Sequence, residues 1–153
     1  MYKKNKKSVM NIIINNYTNA PDLTAQPIYD MSNDDLKRYI DMGIPNGIVK
    51  MLQDYYIENI PNEKRSLWCL DASRIKYLVR KDNNWKIDIM GKIIKKIMVK
   101  PLQSKILDMM NTNNEMLSTD DKMNYLTNMN DLIDTNKSNQ ILKNVSNYFM
   151  LKS

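Results

Sequence analysis

The hydrophobic period changes twice along this chain, and those changes limit the fold more than any other feature. Leu36, Tyr39 and Ile40, then Ile48, Val49, Leu52, Tyr55 and Tyr56, recur at helical spacing. Past Pro61 the period is two. Leu67 to Leu70 is a short strand candidate, Ile75, Tyr77 and Val79 alternate with Lys76, Leu78 and Arg80, and Trp85, Ile87 and Ile89 alternate with Lys86, Asp88 and Met90. Helical spacing returns at Ile94, Met98, Leu102, Ile106 and Met109. The pattern predicts an α+β fold, mainly helical, in one domain over 28–153: a helix pair at 32–59, a central β-hairpin at 67–91 and helices over 92–153. A chain of 153 residues is long enough to bury a core without metals or disulfides.

Local signals set the boundaries. Ser32 and Ser118 each precede two aspartates, a helix-capping pattern that places carboxylates where the helix dipole favours them. Gly43 stops the first helix of the pair, Pro45 suits the first turn of the second, and Ser138 is read as the start of the last helix. Pro101 cannot donate back to Ile97, so the expected helix is kinked there; a third strand with a helix starting at Pro101 is the alternative. Residues 1–27 show no sustained period and read as a flexible basic arm, with Lys3–Lys7 supplying its charge.

Register decides what the hairpin presents. A two- or four-residue loop would oppose Trp85 or Ile87 to Arg80 and put the apolar sets on opposite faces. A three-residue loop, Asp82-Asn83-Asn84, instead pairs Val79 with Ile87 and Tyr77 with Ile89, and sets Arg80 opposite Lys86. That register is the expectation, with Lys76 on the same basic face and Trp85, Ile87 and Ile89 in the core.

Charge and composition then narrow the function. Net charge is +6, but residues 61–105 alone hold twelve Lys/Arg against four Asp/Glu, or +8, while 23–60 and 106–153 are mildly acidic. There is no histidine and one cysteine, Cys69. This removes His-based catalysis, His or Cys-only metal sites and an intramolecular disulfide framework. No apolar run approaches a membrane span, no signal-peptide core follows the basic N-terminus, and a lone thiol suits a reducing compartment. The chain is expected to be soluble and intracellular, with no membrane partner.

Two stretches, Met42-Gly-Ile-Pro-Asn-Gly-Ile-Val49 and Trp68-Cys-Leu-Asp-Ala-Ser-Arg74 followed by Lys81-Asp82, Trp85, Asp88 and Gly91, resemble a module of giant nucleocytoplasmic DNA virus proteins. In that family the module often follows a zinc finger and a coiled segment; this sequence has no such finger. The resemblance spans roughly 30–150, with its strong matches at 42–91. It implies a viral protein working in the host cytoplasm (the viral factory) or the virion, near nucleic acid, and it carries over no catalytic residue.

The sharpest candidate is therefore a nucleic-acid contact made by Arg74, Lys76, Arg80, Lys86, Lys92, Lys95 and Lys96. Like charges opposed on a sheet destabilise it, and a phosphate between them would remove the repulsion. The bland alternative is a solvated lysine face in a lysine-rich composition. Other clusters read structurally. The helix at 46–59 offers two carboxylates against one lysine, a poor major-groove reader. Cys69 lacks a base to make its thiolate and packs as a small hydrophobe, while Asp71 and Ser73 shape a turn and Arg74 is free to pair with Asp71. The Asp34/Asp35 and Asp120/Asp121 pairs belong to helix caps, and the thirteen methionines mainly to the core. The functional expectation is a non-enzymatic, cofactor-free nucleic-acid-binding module, DNA ahead of RNA; a protein-interaction or assembly module docking a viral or host protein is the alternative.

Overall fold

The computed structural model describes residues 6–112 and 117–152, in which seven α-helices surround one three-stranded antiparallel sheet. The helices are α1 (Lys6–Asn16), α2 (Gln26–Asp30), α3 (Asn33–Asp41), α4 (Asn46–Tyr56), α5 (Lys92–Thr112), α6 (Thr119–Ile133) and α7 (Thr135–Val145). The strands β1 (Leu67–Asp71), β2 (Lys76–Lys81) and β3 (Asn84–Ile89) lie in chain order across the sheet. The fold is mainly helical α+β.

The capping signals act as their chemistry requires. Ser32 Oγ accepts from Asp35 N at 3.1 Å, and Ser118 Oγ accepts from Asp121 N at 3.0 Å. Each hydroxyl satisfies one otherwise orphaned donor of the first turn, worth about 1 kcal/mol. Between α3 and α4 the chain passes through Gly43 at φ +79°. A Cβ on Gly47 would sit 1.9 Å from the Tyr39 carbonyl oxygen, so only glycine allows the two helices to approach this closely. Tyr39 Oη donates to Asp54 at 2.6 Å and Tyr55 Oη donates to Asp35 at 2.8 Å, clasping the pair in both directions. The last helix begins earlier than Ser138: Asp134 accepts from Lys137 N at 3.0 Å, and Ser138 lies buried one turn inside α7. Helix α5 runs through Pro101, which is itself buried, and no strand forms there.

The sheet is covered on both faces, which the alternation alone did not reveal. One face carries Leu67, Cys69, Tyr77 and Val79 into the main core with Met51, Leu52, Ile94, Leu142 and Phe149. Tyr77 Oη donates to the Leu142 carbonyl at 2.6 Å, tying the sheet to α7. The other face carries Trp68 and Leu78, and Ile13 of α1 closes over them with Val9, Met10 and Tyr17. From Lys6 on, the stretch expected to be a flexible arm is a helix followed by a connection bonded to the sheet. Burying Ile13 completely contributes about 1.5–3 kcal/mol, enough to hold a short helix in place. The connection is pinned as well: Leu23 N donates to Arg80 O at 2.8 Å, and Ser66 Oγ donates to Pro21 O at 2.8 Å. Lys3 and Lys4 of the expected arm lie outside the described residues.

The hairpin register differs by one residue from expectation. Asp82 and Asn83 both take positive φ, 54° and 60°, so the loop is two residues long. Paired left-handed residues match the twist of the strands, and Asp and Asn tolerate them best after glycine. Arg80 therefore opposes Trp85, and Val79 opposes Lys86. One residue of slip moves every β3 side chain to the other face. Asp88 goes to the main core, and Ile87 and Ile89, expected to be buried, stand 45% and 53% exposed on the edge strand.

Candidate nucleic-acid interface

The register disperses the basic face anticipated for the hairpin. Arg80 and Lys76 share the α1-covered face, whereas Lys86 stands beside Val79 on the opposite one. Arg80 is only 8% exposed. Its Nη2 donates to the Thr18 carbonyl at 2.7 Å, and its guanidinium carbon lies 5.6 Å from the Trp85 ring centroid. It acts as a structural cation between β3 and the connection that follows α1, not as a surface donor. Lys86 reaches back to Asp82 of the hairpin loop at 3.1 Å, an exposed pair. Arg74, 80% exposed in the β1–β2 turn, stands 3.8 Å from Asp71, which also accepts from Ser73 Oγ at 2.8 Å. Asp71 and Ser73 thus meet side chain to side chain at this turn, where bonds to the backbone were expected.

Helix α5 treats its lysines differently. Its N-terminus is held by Asp88, 1% exposed, whose two carboxylate oxygens accept from Ile93 N at 2.8 Å and Ile94 N at 3.0 Å. Gly91, at φ +66°, turns the chain into the helix where a Cβ would meet Leu142 at 2.0 Å. This anchoring fixes the helix's rotation. Lys95 points inward, donates to Asn139 Oδ1 of α7, and has its pKa lowered by burial against the raising effect of Asp88. Lys105 donates to the Tyr29 carbonyl at 2.6 Å. Lys92, Lys96 and Lys100 are exposed, and among the described residues none of them makes an ion pair.

These three fall at i, i+4 and i+8, so they form one ridge about 12 Å long at 1.5 Å rise per residue. Lys92 and Lys96 also sit in the first two turns of the helix, where the macrodipole disfavours cations. Helix stability therefore does not account for them. Lys100, which extends the ridge, is not marked by the strand alternation; the four-residue spacing from Lys92 and Lys96 is the signal that finds it.

Of the seven cations expected to act together, the structure leaves Lys92 and Lys96 on a common surface ridge. Lys76 is half-buried four strand positions from Arg80, roughly 13 Å away along β2. Cys69 is buried, and burial pushes its thiol up to about 11, consistent with a packing role. Among the described residues no group of acidic, His or Cys side chains is arranged to hold a metal ion. No helix among them is long and apolar enough to cross a membrane.

Compared with family models, curated proteins and solved structures, the chain has no match in any of the three.

Proposed function

We propose that this chain is a non-enzymatic module that contacts nucleic-acid phosphates through the α5 ridge, DNA ahead of RNA. The observation that carries the reading is the alignment of Lys92, Lys96 and Lys100 as exposed cations, without an ion pair among the described residues, on a helix capped by Asp88. Each phosphate neutralised releases condensed counterions, giving affinity without base reading. The hairpin and its cap position α5 instead of touching the ligand. On the resemblance to the giant-virus module, its working place is the infected host cytoplasm or the virion. Fluorescence anisotropy with labelled duplex and single-stranded oligonucleotides across a salt series tests the reading. Affinity should fall log-linearly with salt; no salt-dependent binding to either form rejects it.

A second reading has one specific observation behind it. Met123, Leu126 and Ile133 are exposed on α6 at helical spacing, an apolar stripe on a helix with an acidic first turn. Such a stripe suits docking of a viral or host protein. Purification from infected cells with and without nuclease separates the readings: a stoichiometric protein that survives nuclease, and is lost on Met123→Ser with Leu126→Ser, favours docking.

A further inference from the structure

We infer that β3 is a docking edge for a second copy of this chain, the two strands pairing antiparallel about a two-fold axis at Ile87. The strand ends the sheet, with β2 as its neighbour on one side. The two-residue loop makes Lys81 and Asn84 the closing pair of the hairpin. Hydrogen bonding in an antiparallel ladder alternates from such a pair, so Asn84, Lys86 and Asp88 direct their N–H and C=O groups to β2. Trp85, Ile87 and Ile89 therefore turn theirs outward, along the free edge. The same stretch is apolar and open: Ile87 and Ile89 are 45% and 53% exposed, and Met90 follows at 38%. Helix α1 packs on β1, at the other side of the sheet, and leaves these side chains uncovered.

Edge strands are ordinarily blunted by proline, a bulge or an inward-pointing charge. Strand β3 has no proline and pairs with β2 without a register shift, and its buried acid, Asp88, caps α5. The strand also complements itself, which favours a second copy over a strand of another protein. With Ile87 facing Ile87 of the second copy, Trp85 falls opposite that copy's Ile89, and all of these stand on one face of the joined sheet. Aromatic and β-branched residues are favourable cross-strand pairs. Lys86 falls opposite Asp88, so no like charges oppose. In this register the outward groups of Trp85, Ile87 and Ile89 meet one another and form roughly six backbone hydrogen bonds. A slip of one residue would set outward groups against inward ones. The axis occupies the β3 edge of both copies, and β1, the remaining edge, packs against the helical turn Ser146–Phe149, so association closes at two chains. A strand of six residues gives a small interface and hence a weak, concentration-dependent dimer. The inference rests on the sheet alone and is independent of the nucleic-acid reading.

Sedimentation velocity of the whole chain across the micromolar range should show the mass rising from 18.0 kDa towards twice that and no further. Ile87→Lys places two ammonium groups opposite each other at the axis and should abolish the rise, with urea unfolding confirming that the variant is folded. Ile133→Lys, on the exposed face of α6, should dimerise as wild type does. Mild oxidation with oxidised glutathione then tests the register in a Cys69→Ala background, and it does so even if Ile87→Lys fails to fold. Ile87→Cys brings two thiols to facing positions with Cα atoms about 5.5 Å apart, within disulfide reach, and should yield a covalent dimer. Ile89→Cys leaves them roughly 13 Å apart along the strands and should not. A wild-type chain that stays at one chain's mass, or grows past two, overturns the inference. So does a dimer that survives Ile87→Lys or is lost in Ile133→Lys, or cross-linking that is no faster at position 87 than at 89.

Discussion

The hairpin and the first turns of α5 are adjacent in sequence and both carry several cations, but the fold uses those cations in different ways. On the hairpin three are absorbed: Arg80 by a carbonyl and an indole face, Lys86 by Asp82, Arg74 at longer range by Asp71. Before α5 the acid Asp88 is spent on backbone donors, and Lys92, Lys96 and Lys100 stand exposed, with no ion pair among the described residues. A charge sum over the region cannot see this division. What decides it is whether a side chain's neighbours across strand or helix include an acceptor that the backbone has not already taken.

The division breaks first if Arg80 is made anionic. Arg80→Glu would bury a carboxylate against the Thr18 carbonyl and the negative face of Trp85, costing about 3–5 kcal/mol in urea unfolding. A variant as stable as wild type would mean Arg80 is a surface group after all. Asp88→Ala comes next, with an expected loss of about 3 kcal/mol, because two charge-assisted bonds to the α5 N-terminus disappear. Asp88→Asn should recover part of it, and the same urea titration checks both. A loss below about 1 kcal/mol would show that the cap does not fix α5.

A pH experiment sharpens the contrast between buried and exposed chemistry on the same sheet. Burial raises the Cys69 thiol from 9.0 to about 11, so its contribution to stability is fully present below pH 9. Between those values the unfolded chain loses its proton while the folded chain keeps it. Stability therefore falls as pH rises from 9 towards 11, by at most about 2–3 kcal/mol. Cys69→Ala should flatten that part of the curve; Tyr55, pushed up to about 12 by burial and its bond to Asp35, steepens the curve above pH 10 in both proteins. An unchanged slope in Cys69→Ala would place the thiol in solvent. The smallest stability effect belongs to the ridge. Lys92→Gln, Lys96→Gln and Lys100→Gln together should leave urea stability within about 0.5 kcal/mol, with any change upward because cations leave a helix N-terminus.

Most of the architecture was legible from period and punctuation. Ser32, Gly43 and Ser118 mark helix ends by chemistry that acts locally, so tertiary context had no occasion to override it. The register was not legible, and it failed for a reason elsewhere in the chain. Choosing a three-residue loop assumed one buried sheet face, which required Trp85, Ile87 and Ile89 to join Tyr77 and Val79. Helix α1 supplies a second cover, and with it a two-residue loop buries Asp88 usefully and puts Trp85 against Arg80. The stripe Val9, Met10, Ile13 and Tyr17 was the missed signal, faint among the asparagines of a segment read as an arm. The same omission misplaced the candidate site, since Arg80 is buried by the connection that follows α1.

The central claim is that phosphate contact belongs to α5 and not to the hairpin. The most direct measurement is the slope of log affinity against log salt on one duplex for three proteins: wild type, Lys92→Gln/Lys96→Gln/Lys100→Gln, and Lys76→Gln/Lys86→Gln. Removing one lysine–phosphate pair should lower the slope's magnitude by about 0.9, so the slope should fall by about 3 in the α5 variant and by less than about 1 in the hairpin variant. Equal reductions, or a larger one in the hairpin variant, would contradict the account.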